Sequence, residues 1–375
     1  MAKTSITNME VKKNNRNRIY RYICKCKTVS NPDISYALKI SLPTVTQNTK
    51  ELIEMGLVEE TGELQSTGGR RAKALSAAAG YRLAVGIDIT QNHIGILLAD
   101  LAGTILKYDR INFPFRRTQD YFDGVSGKLE EFLKTAAAGP ERILGIGISF
   151  PGIVNLRKQE ITNSHALGVS ALSFAEVSGC FAYPCFFLND ANAGAYAEGV
   201  RFEETDSFFY LSLSNTVGGA IFHDGQLMQG REFRCGEAGH MTVVPDGRAC
   251  YCGKSGCLDA YCSAKFLAEP GGGRLEDFFA GLEREEPEFV RAWEEYMKYL
   301  SIAVNNLHMV LDCDIVLGGY VGSYLEAHMG EIRKKVAERN TFSGDGSFVR
   351  PCNYKVGAAA LGAALQVIET FIEQI

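Results

Sequence analysis

The sequence predicts an α/β protein in which an N-terminal winged helix-turn-helix head precedes a two-lobed α/β body. Three observations support this prediction: helical periodicity dominates residues 15–62, strands followed by helices occur twice after residue 81, and positive charge is in excess only before residue 80. A chain of 375 residues is long enough for two or three domains. We predict a head at 1–80, a first lobe at 81–190 and a second lobe at 191–375, with C-terminal helices returning toward the first lobe.

The composition predicts a cytoplasmic protein without a membrane segment. No stretch approaches the roughly 18 consecutive apolar residues that a membrane helix needs, and residues 1–18 lack the apolar core of a signal peptide. The 11 cysteines are too sparse for a disulfide scaffold in a chain of this length. In a reducing cytosol, clustered cysteines indicate a metal site instead.

The net charge of −5 is unevenly distributed along the chain. Residues 1–80 carry a net charge of +6, and residues 81–375 carry −11. A basic head on an acidic body indicates that only the head contacts a polyanion. Chance asymmetry is the alternative explanation of the charge distribution taken alone.

The head reads as three helices followed by a wing. We predict helices at 16–27, from 31 or 32 to 38, and from 42 onward, where Ser41 can cap the third helix and Pro43 occupies its first turn. Apolar or small side chains recur along the third helix at three- and four-residue spacing and should pack inward; they are Val45, Thr49, Leu52 and Ile53. Residues 57–60 read as a strand, and residues 66–71 as a hairpin tip.

The outward side of the third helix is a candidate DNA-reading surface. Short polar side chains beside a lysine suit base edges and phosphates in a major groove; they are Thr44, Thr46, Gln47, Asn48 and Lys50. Arg70 and Arg71 at the hairpin tip are placed to reach a backbone or a minor groove. The partner would be double-stranded operator DNA. A three-helix protein-interaction module with a solvated charged loop is the alternative.

The body begins with three consecutive strands. Strands are predicted at residues 81–90, 93–100, 103–112, 143–150, 208–214, 218–223 and 314–317. Helices are predicted at 121–137, in one run at 275–311, after 321 and at 356–375. Because strands followed by helices occur twice, we expect two α/β lobes around a cleft.

A histidine and three cysteines form a candidate metal site. His240, Cys250, Cys252 and Cys257 have the spacing H-x9-C-x-C-x4-C. Three thiolates and one imidazole complete a tetrahedral zinc site, so no position remains for a catalytic water and the zinc would be structural. Cys262 is a less favoured substitute ligand. A core histidine among a few buried cysteines is the alternative.

A second candidate site is Asn189-Asp190, where a strand ends before a helix of small residues. This placement puts a carboxylate at the edge of the cleft. Such a carboxylate can accept a proton from a sugar hydroxyl. Helix capping is the alternative role for the pair.

These motifs together resemble the ROK family of repressors, open reading frames and sugar kinases. The resemblance rests on residues 237–240, the cysteine run 250–257 and Asn189-Asp190, with weaker support from residues 149–155 and 315–319. It covers about residues 80–375, and the added head is typical of the repressor branch. The resemblance implies an actin-like, ribonuclease-H-type two-lobed body that binds a sugar in its cleft.

The resemblance also implies which residues contact the sugar. This group, called the sugar set below, consists of Asn163, Asn189, Asp190, Glu237, His240 and Asp259. Buried carboxylates and amides discriminate sharply between sugars because a missing hydroxyl leaves them unpaired. Asp259 departs from the family, where glutamate is usual, and leaves the identity of the sugar open. His240 would mainly bind zinc and tie the metal to the wall of the pocket.

The turns that bind the nucleotide phosphates in the kinase members differ more in this sequence. Kinase members carry Asp-x-Gly-Gly-Thr-Lys near the first hairpin. Here Asp88 is followed by Ile-Thr-Gln-Asn-His, so both glycines, the threonine and the lysine are replaced. The second phosphate turn, usually Gly-Thr-Gly, is Ser214-Asn215-Thr216. Side chains at Thr90 and Gln91 should block the close backbone approach that phosphate binding needs.

We therefore expect a sugar-responsive, DNA-binding repressor in which Asp190 is a vestigial base. It would bind a roughly palindromic operator as a homodimer and respond to a xylose- or glucose-type effector. One alternative is a sugar kinase with Asp190 as its general base. A regulator controlled by a partner protein is the second alternative.

Overall fold

The computed structural model describes residues 8–64, 72–200 and 207–375, and the side chains from residue 10 onward. These residues form a small helical head and two α/β lobes, each built on a five-stranded sheet. Within the described residues, every helix is too short or too polar to cross a membrane.

The head contains three helices and a two-stranded antiparallel sheet. Its elements are α1 (Asn8–Lys25), α2 (Asn31–Leu38), α3 (Leu42–Glu54), β1 (Val58–Glu63) and β2 (Lys73–Ala77). Ser30 and Ser41 cap α2 and α3 by accepting backbone N–H groups, as the sequence predicted for Ser41. The first helix begins at Asn8, earlier than predicted. Lys12 and Arg16, on or next to this added part, both pair with Glu51 of α3, which stabilises it.

The expected outward orientation of Asn48 is wrong. Its residue is only 1% exposed, and its side-chain amide donates to the carbonyl of Thr44 at 2.8 Å. Positions 45, 48 and 52 are three and four residues apart, so they share one face of α3. Asn48 therefore belongs to the buried face and does not face outward to read bases.

The first lobe places a β-meander beside two parallel strands. Its elements are β3 (Leu83–Ile89), β4 (His93–Asp100), β5 (Ile105–Asn112), α4 (Gln119–Thr135), β6 (Ile143–Phe150), β7 (Ile153–Asn155), β8 (Glu160–Ser164), β9 (Val169–Ser173), α5 (Phe174–Ser178), β10 (Cys185–Asn189) and α6 (Asp190–Gly199). The sheet order is β10-β6-β3-β4-β5, with β3, β6 and β10 parallel to one another. The strands β7, β8 and β9 form a separate antiparallel sheet.

The second lobe repeats this plan. Its elements are β11 (Phe208–Leu213), β12 (Val217–His223), β13 (Gln226–Leu227), α7 (Asp259–Cys262), α8 (Ala264–Ala268), α9 (Leu275–Glu283), α10 (Pro287–Leu311), β14 (Asp314–Gly318), α11 (Gly319–Gly322), α12 (Met329–Ala337), β15 (Val349–Pro351) and α13 (Ala358–Gln374). The sheet order is β13-β12-β11-β14-β15, again a meander followed by parallel strands. This repeated topology confirms the predicted ribonuclease-H-type fold.

The final helix, α13, packs against the first lobe and the head. It lies on β3, β6 and α6, and Gly362 allows a close crossing because a Cβ there would lie 1.7 Å from the carbonyl oxygen of Ala193. Two turns further along the helix, Glu369 binds the Arg21 guanidinium of α1 through two hydrogen bonds. Buried residues of the head and of α13 share one continuous apolar core. The head is therefore joined to the body by packing as well as by the chain.

Candidate functional site

The predicted metal ligands lie together at the edge of the second lobe. One ligand atom from each of His240, Cys250, Cys252 and Cys257 lies within 4.8 Å of all the others. His240 ends a single helical turn, Ala238–His240, and the cysteines lie on the loop that follows. Gly256 adopts φ +81°, and a Cβ there would lie 1.8 Å from the carbonyl of Val244, so only glycine fits the turn before Cys257.

The chemistry of this cluster fits a metal ion. Three sulfur atoms and one imidazole nitrogen are the donor set of closed, four-coordinate sites. The Sγ atoms of Cys252 and Cys257 are 3.7 Å apart, and the Sγ of Cys250 lies 3.9 Å from Nδ1 of His240. Cys262, the less favoured ligand, is buried in the apolar core 3.8 Å from the carbonyl of Tyr296. The cluster therefore contains the four residues that the spacing predicted.

Asn189 and Asp190 lie where β10 ends and α6 begins. Asn189 is the N-cap of α6, and its side chain accepts the backbone N–H of Asn192 at 3.0 Å. Its amide also donates to the carbonyl of Gly152 at 2.9 Å. The two roles considered for this pair are therefore divided between its residues. Asn189 caps α6, and Asp190 places its carboxylate in the first turn of the same helix.

Two carboxyl groups influence each other at this point between the lobes. Burial, followed by the charge of Asp88, raises the pKa of Asp190 from 3.8 to about 7. Burial also raises the pKa of Asp88 to about 6, although the hydroxyl of Ser149 donates to Asp88 at 2.9 Å. Near neutral pH, Asp190 therefore exists partly as a protonated acid, which can donate as well as accept a hydrogen bond.

The remaining members of the sugar set have different surroundings. Asp259 is 5% exposed and accepts the backbone N–H of Val217 at 2.5 Å, so its carboxylate helps to hold α7 against β12. Glu237 precedes the helical turn of His240 and is exposed. Asn163 lies on β8 and is half-buried. Whether these residues contact a sugar stays a prediction.

Two residues that the sequence did not single out connect the lobes beside the metal cluster. His165 follows β8, and its ring lies 5.3 Å from the ring of Tyr251, which stands between two metal-ligand positions. The hydroxyl of Tyr251 is 3.5 Å from Nε2 of His240, and the amide of Asn163 is 3.1 Å from Nε2 of His165. No local sequence signal links residues so far apart in the chain.

The two turns that depart from the kinase pattern, residues 88–93 and 214–216, make contacts with side chains and backbone of the protein. The guanidinium of Arg110 lies 5.5 Å from the ring centre of Tyr320, which places β5 of the first lobe against α11 of the second. Arg110 also lies 3.5 Å from Nδ1 of His93. The backbone N–H of Tyr320 donates to Ser214 at 3.3 Å, so both altered phosphate turns take part in contacts within the protein.

The head presents only part of the predicted DNA-reading surface. Thr46, Gln47 and Lys50 are exposed and Thr44 is half-buried, whereas Asn48 is buried. Gln47 donates to Glu51 at 2.8 Å. Arg70 and Arg71 lie outside the described residues. Tyr36, which the sequence analysis did not consider, is 90% exposed on α2, the helix that precedes α3.

Comparison with protein families gives two matches that together span most of the chain. The ROK family model matches residues 84–370, and the winged helix-turn-helix DNA-binding model matches residues 13–59. A xylose repressor of Bacillus spizizenii is 28% identical over 379 residues and covers 97% of both chains.

Solved structures show the same fold. A ROK family transcriptional regulator described as a homologue of the E. coli MLC protein matches with a TM-score of 0.77 and 24% identity, and covers 97% of both chains. A ROK family glucokinase from Streptomyces griseus, solved with glucose and AMPPNP, matches with a TM-score of 0.64 and 23% identity over 76% of this chain and 98% of its own. The glucokinase match leaves about a quarter of this chain without a counterpart.

Proposed function

This chain belongs to the ROK family, and from that premise we propose that it is a sugar-responsive repressor of carbohydrate-utilisation genes, with operator DNA as its partner. A xylose- or glucose-type sugar would bind the sugar set between the lobes and favour one arrangement of the lobes over another. The sugar can alter DNA affinity only as far as it binds these arrangements unequally. The similarity to a xylose repressor along nearly the whole chain supports a pentose-type effector.

The observation that carries the proposal is the contrast between the two sides of the cleft. On the sugar side, carboxyl and amide groups remain around Asp190. At the two turns that differ from the kinase pattern, side chains replace the glycines, and the neighbouring Arg110 and Tyr320 lie against each other. Phosphoryl transfer requires both partners to be positioned together, so this arrangement favours sugar sensing over catalysis.

We further propose that the metal is zinc and that its role is structural. The cluster links the loop 250–257 to His240, which follows Glu237 of the sugar set by three residues. A closed Cys₃His site stabilises a loop that has few apolar contacts of its own. The zinc would thereby fix the wall of the sugar pocket.

Two heads are needed to read a palindromic operator, so we propose a homodimer. Its location would be cytoplasmic, because the operator DNA is there. Thr46, Gln47 and Lys50 are the proposed contacts on the third helix, because they combine polarity with exposure. Thr44 is a weaker candidate because it is half-buried. Arg70 and Arg71 remain proposed wing contacts.

The experiment that tests the proposal has two parts. Calorimetry of the full chain against xylose, glucose, N-acetylglucosamine and ATP with magnesium should detect a sugar and no nucleotide. An operator selected from random DNA should then lose affinity, or gain it, when that sugar is added. An operator affinity that no sugar changes would contradict the proposal and favour control by a partner protein.

The retained Asp190 supports a sugar kinase as the second candidate. A coupled assay of ATP consumption with hexoses and pentoses distinguishes the two functions. Turnover that disappears in Asp190→Asn would establish the kinase. The repressor proposal expects no turnover, and removing the contact with Arg110 by Tyr320→Gly should not by itself create any, since the phosphate-binding glycines are also missing.

A further inference from the structure

A cavity of about 280 Å³ follows the outer edge of β10, where the lobes meet. It is bounded by β7 and the turn after it, by α5 and β10 of the first lobe, by residues 227–233 of the second lobe, and by α13. The volume lies just below the roughly 300–1,000 Å³ of pockets that hold drug-sized ligands. It therefore suits one ring-sized group.

Among the described residues, the walls of this cavity contain no carboxylate, ammonium, guanidinium or imidazole group. Eight lining residues are valine, leucine or phenylalanine, five are asparagine or glutamine, and the last is Cys185. Away from Arg157 at its rim, a charged ligand such as a phosphate ester would lose its hydration here without gaining a counter-charge from the described walls. The lining consequently selects an uncharged ligand that has both an apolar face and hydrogen-bonding groups.

One polar atom of the wall lacks a partner. The side-chain oxygen of Asn192 is shielded from solvent and accepts no hydrogen bond within the protein. Such an unpaired buried oxygen is unfavourable, and a turn of the Asn192 side chain toward the cavity would let a ligand hydroxyl donate to it. Pyranose and furanose rings offer such hydroxyls together with apolar C–H faces that pack on aromatic rings such as Phe233.

The cavity adjoins the sugar set through Asn189. This residue lines the cavity, while its amide group lies 3.0 Å from the carboxylate of Asp190. Asn189 therefore belongs both to the wall of the cavity and to the hydrogen bonding of Asp190. We propose that the cavity is a subsite for a second, neutral sugar ring, so that the effector is a disaccharide. This inference rests on the proposed sugar site.

The same cavity touches the parts of the protein that would transmit the signal. At its rim, the guanidinium of Arg157 lies 5.5 Å from the ring centre of Phe233 and joins the two lobes. Gln366 of α13 also lines the cavity, one helical turn before Glu369, which binds Arg21 of the head. A second ring would contact both lobes and α13, whereas a monosaccharide beside Asp190 would not reach α13.

The test compares mono- and disaccharides on the full chain by calorimetry. The panel contains xylose and glucose with α- and β-linked disaccharides of each. We expect at least one disaccharide to bind about tenfold more tightly than its monosaccharide, the equivalent of about 1.4 kcal/mol. Phe233→Ala and Gln229→Leu should remove this advantage and leave the monosaccharide affinity unchanged.

The matched control is Phe342→Ala, which removes an exposed phenylalanine from the second lobe away from the cavity. It should preserve the advantage of the disaccharide. The subsite is refuted if no disaccharide exceeds its monosaccharide, or if the cavity variants weaken both ligands equally. If monosaccharides bind normally in that case, the proposed function survives; if no sugar binds at all, both proposals fail.

Discussion

At the scale of single residues, burial makes the ionised form of Asp190 unfavourable at a position that is proposed to bind the sugar. Its folded-state pKa of about 7 lies above the ordinary 3.8, so the folded protein binds the proton more tightly than the unfolded chain does. The resulting stabilisation is complete below pH 3.8 and is lost as the pH rises through about 7. Asparagine resembles the protonated acid and should avoid this loss.

We therefore predict that Asp190→Asn is more stable than the wild type at pH 8, by about 1–2 kcal/mol once solvent screening is allowed for. The difference should shrink as the pH falls toward 5, while sugar affinity decreases at every pH. Urea unfolding at both pH values measures the first effect, and calorimetry measures the second. A stability difference that does not change with pH would show that the charge of Asp190 is not its cause.

The amino-acid sequence predicted which residues form the Cys₃His cluster better than it predicted which way single side chains face. The four residues of the Cys₃His cluster could be found because their spacing is short and their chemistry is distinctive. The prediction for Asn48 failed because a polar side chain was expected to face outward. Its position on α3, three residues after Val45 and four before Leu52, is on the buried face. Arg110 and Tyr320 could not be paired from the sequence, because their contact depends on how two distant lobes meet.

At the scale of elements, the loop that carries the three clustered cysteines contains little regular secondary structure. Residues 241–258 contain no helix and no extended strand, and two isolated bridges join Thr242 to Cys257 and Ala249 to Ser255. Its two ends pack on the core of the second lobe through Val244 and Leu258, and backbone hydrogen bonds such as Gly256 N–H to the carbonyl of Arg248 cross it. A bound metal would add a covalent-like restraint at the tip, where the three thiols lie close together.

Cys257→Ser should consequently abolish binding of one zinc per chain and lower the thermal midpoint by several degrees, as expected for a loss of about 2 kcal/mol or more in a domain of this size. Elemental analysis and thermal unfolding measure these effects. Cys313→Ser, a cysteine outside the cluster, is the control and should retain the metal. A fully folded, equally stable protein that lacks metal would contradict a structural zinc site.

The sequence predicted the ends of helices and strands where a single residue, such as a capping serine or a proline, determines them. Ser41 and Pro43 marked the start of α3, and the predicted strands 93–100 and 143–150 coincide with β4 and β6. The single helical run expected at 275–311 is instead two helices, because Glu285 adopts φ +56° and Pro287 begins α10. The break was missed because the helical spacing of apolar residues continues from α9 into α10.

At the scale of the whole molecule, α6 and α13 connect the site to the head. α6 begins at Asp190 and carries the fully buried Glu198, which accepts the backbone N–H groups of Asn353 and Tyr354 just before α13. α13 then packs along α6 and binds α1 through Glu369. A shift of α6 relative to the second lobe would therefore be carried to the head by tightly packed elements, which transmit displacement because they deform little.

We predict that Glu369→Gln uncouples the head from the sugar site. The substitution removes the charge from a half-exposed pair with Arg21, so it should change global stability by no more than about 1 kcal/mol. Sugar affinity should stay unchanged, whereas the sugar-induced change in operator affinity should fall about three- to tenfold. Calorimetry and an operator-binding titration with and without sugar measure these two quantities separately.

Glu326→Gln is the matched control, because Glu326 pairs with Lys355 on the surface of the body rather than with the head. It should keep the full response to sugar. If Glu369→Gln responds to sugar as the wild type does, then the signal bypasses the contact between α13 and α1. Coupling between the lobes would then have to reach the DNA through the arrangement of the two subunits instead, since a rigid-body rotation at a dimer interface can also separate two heads.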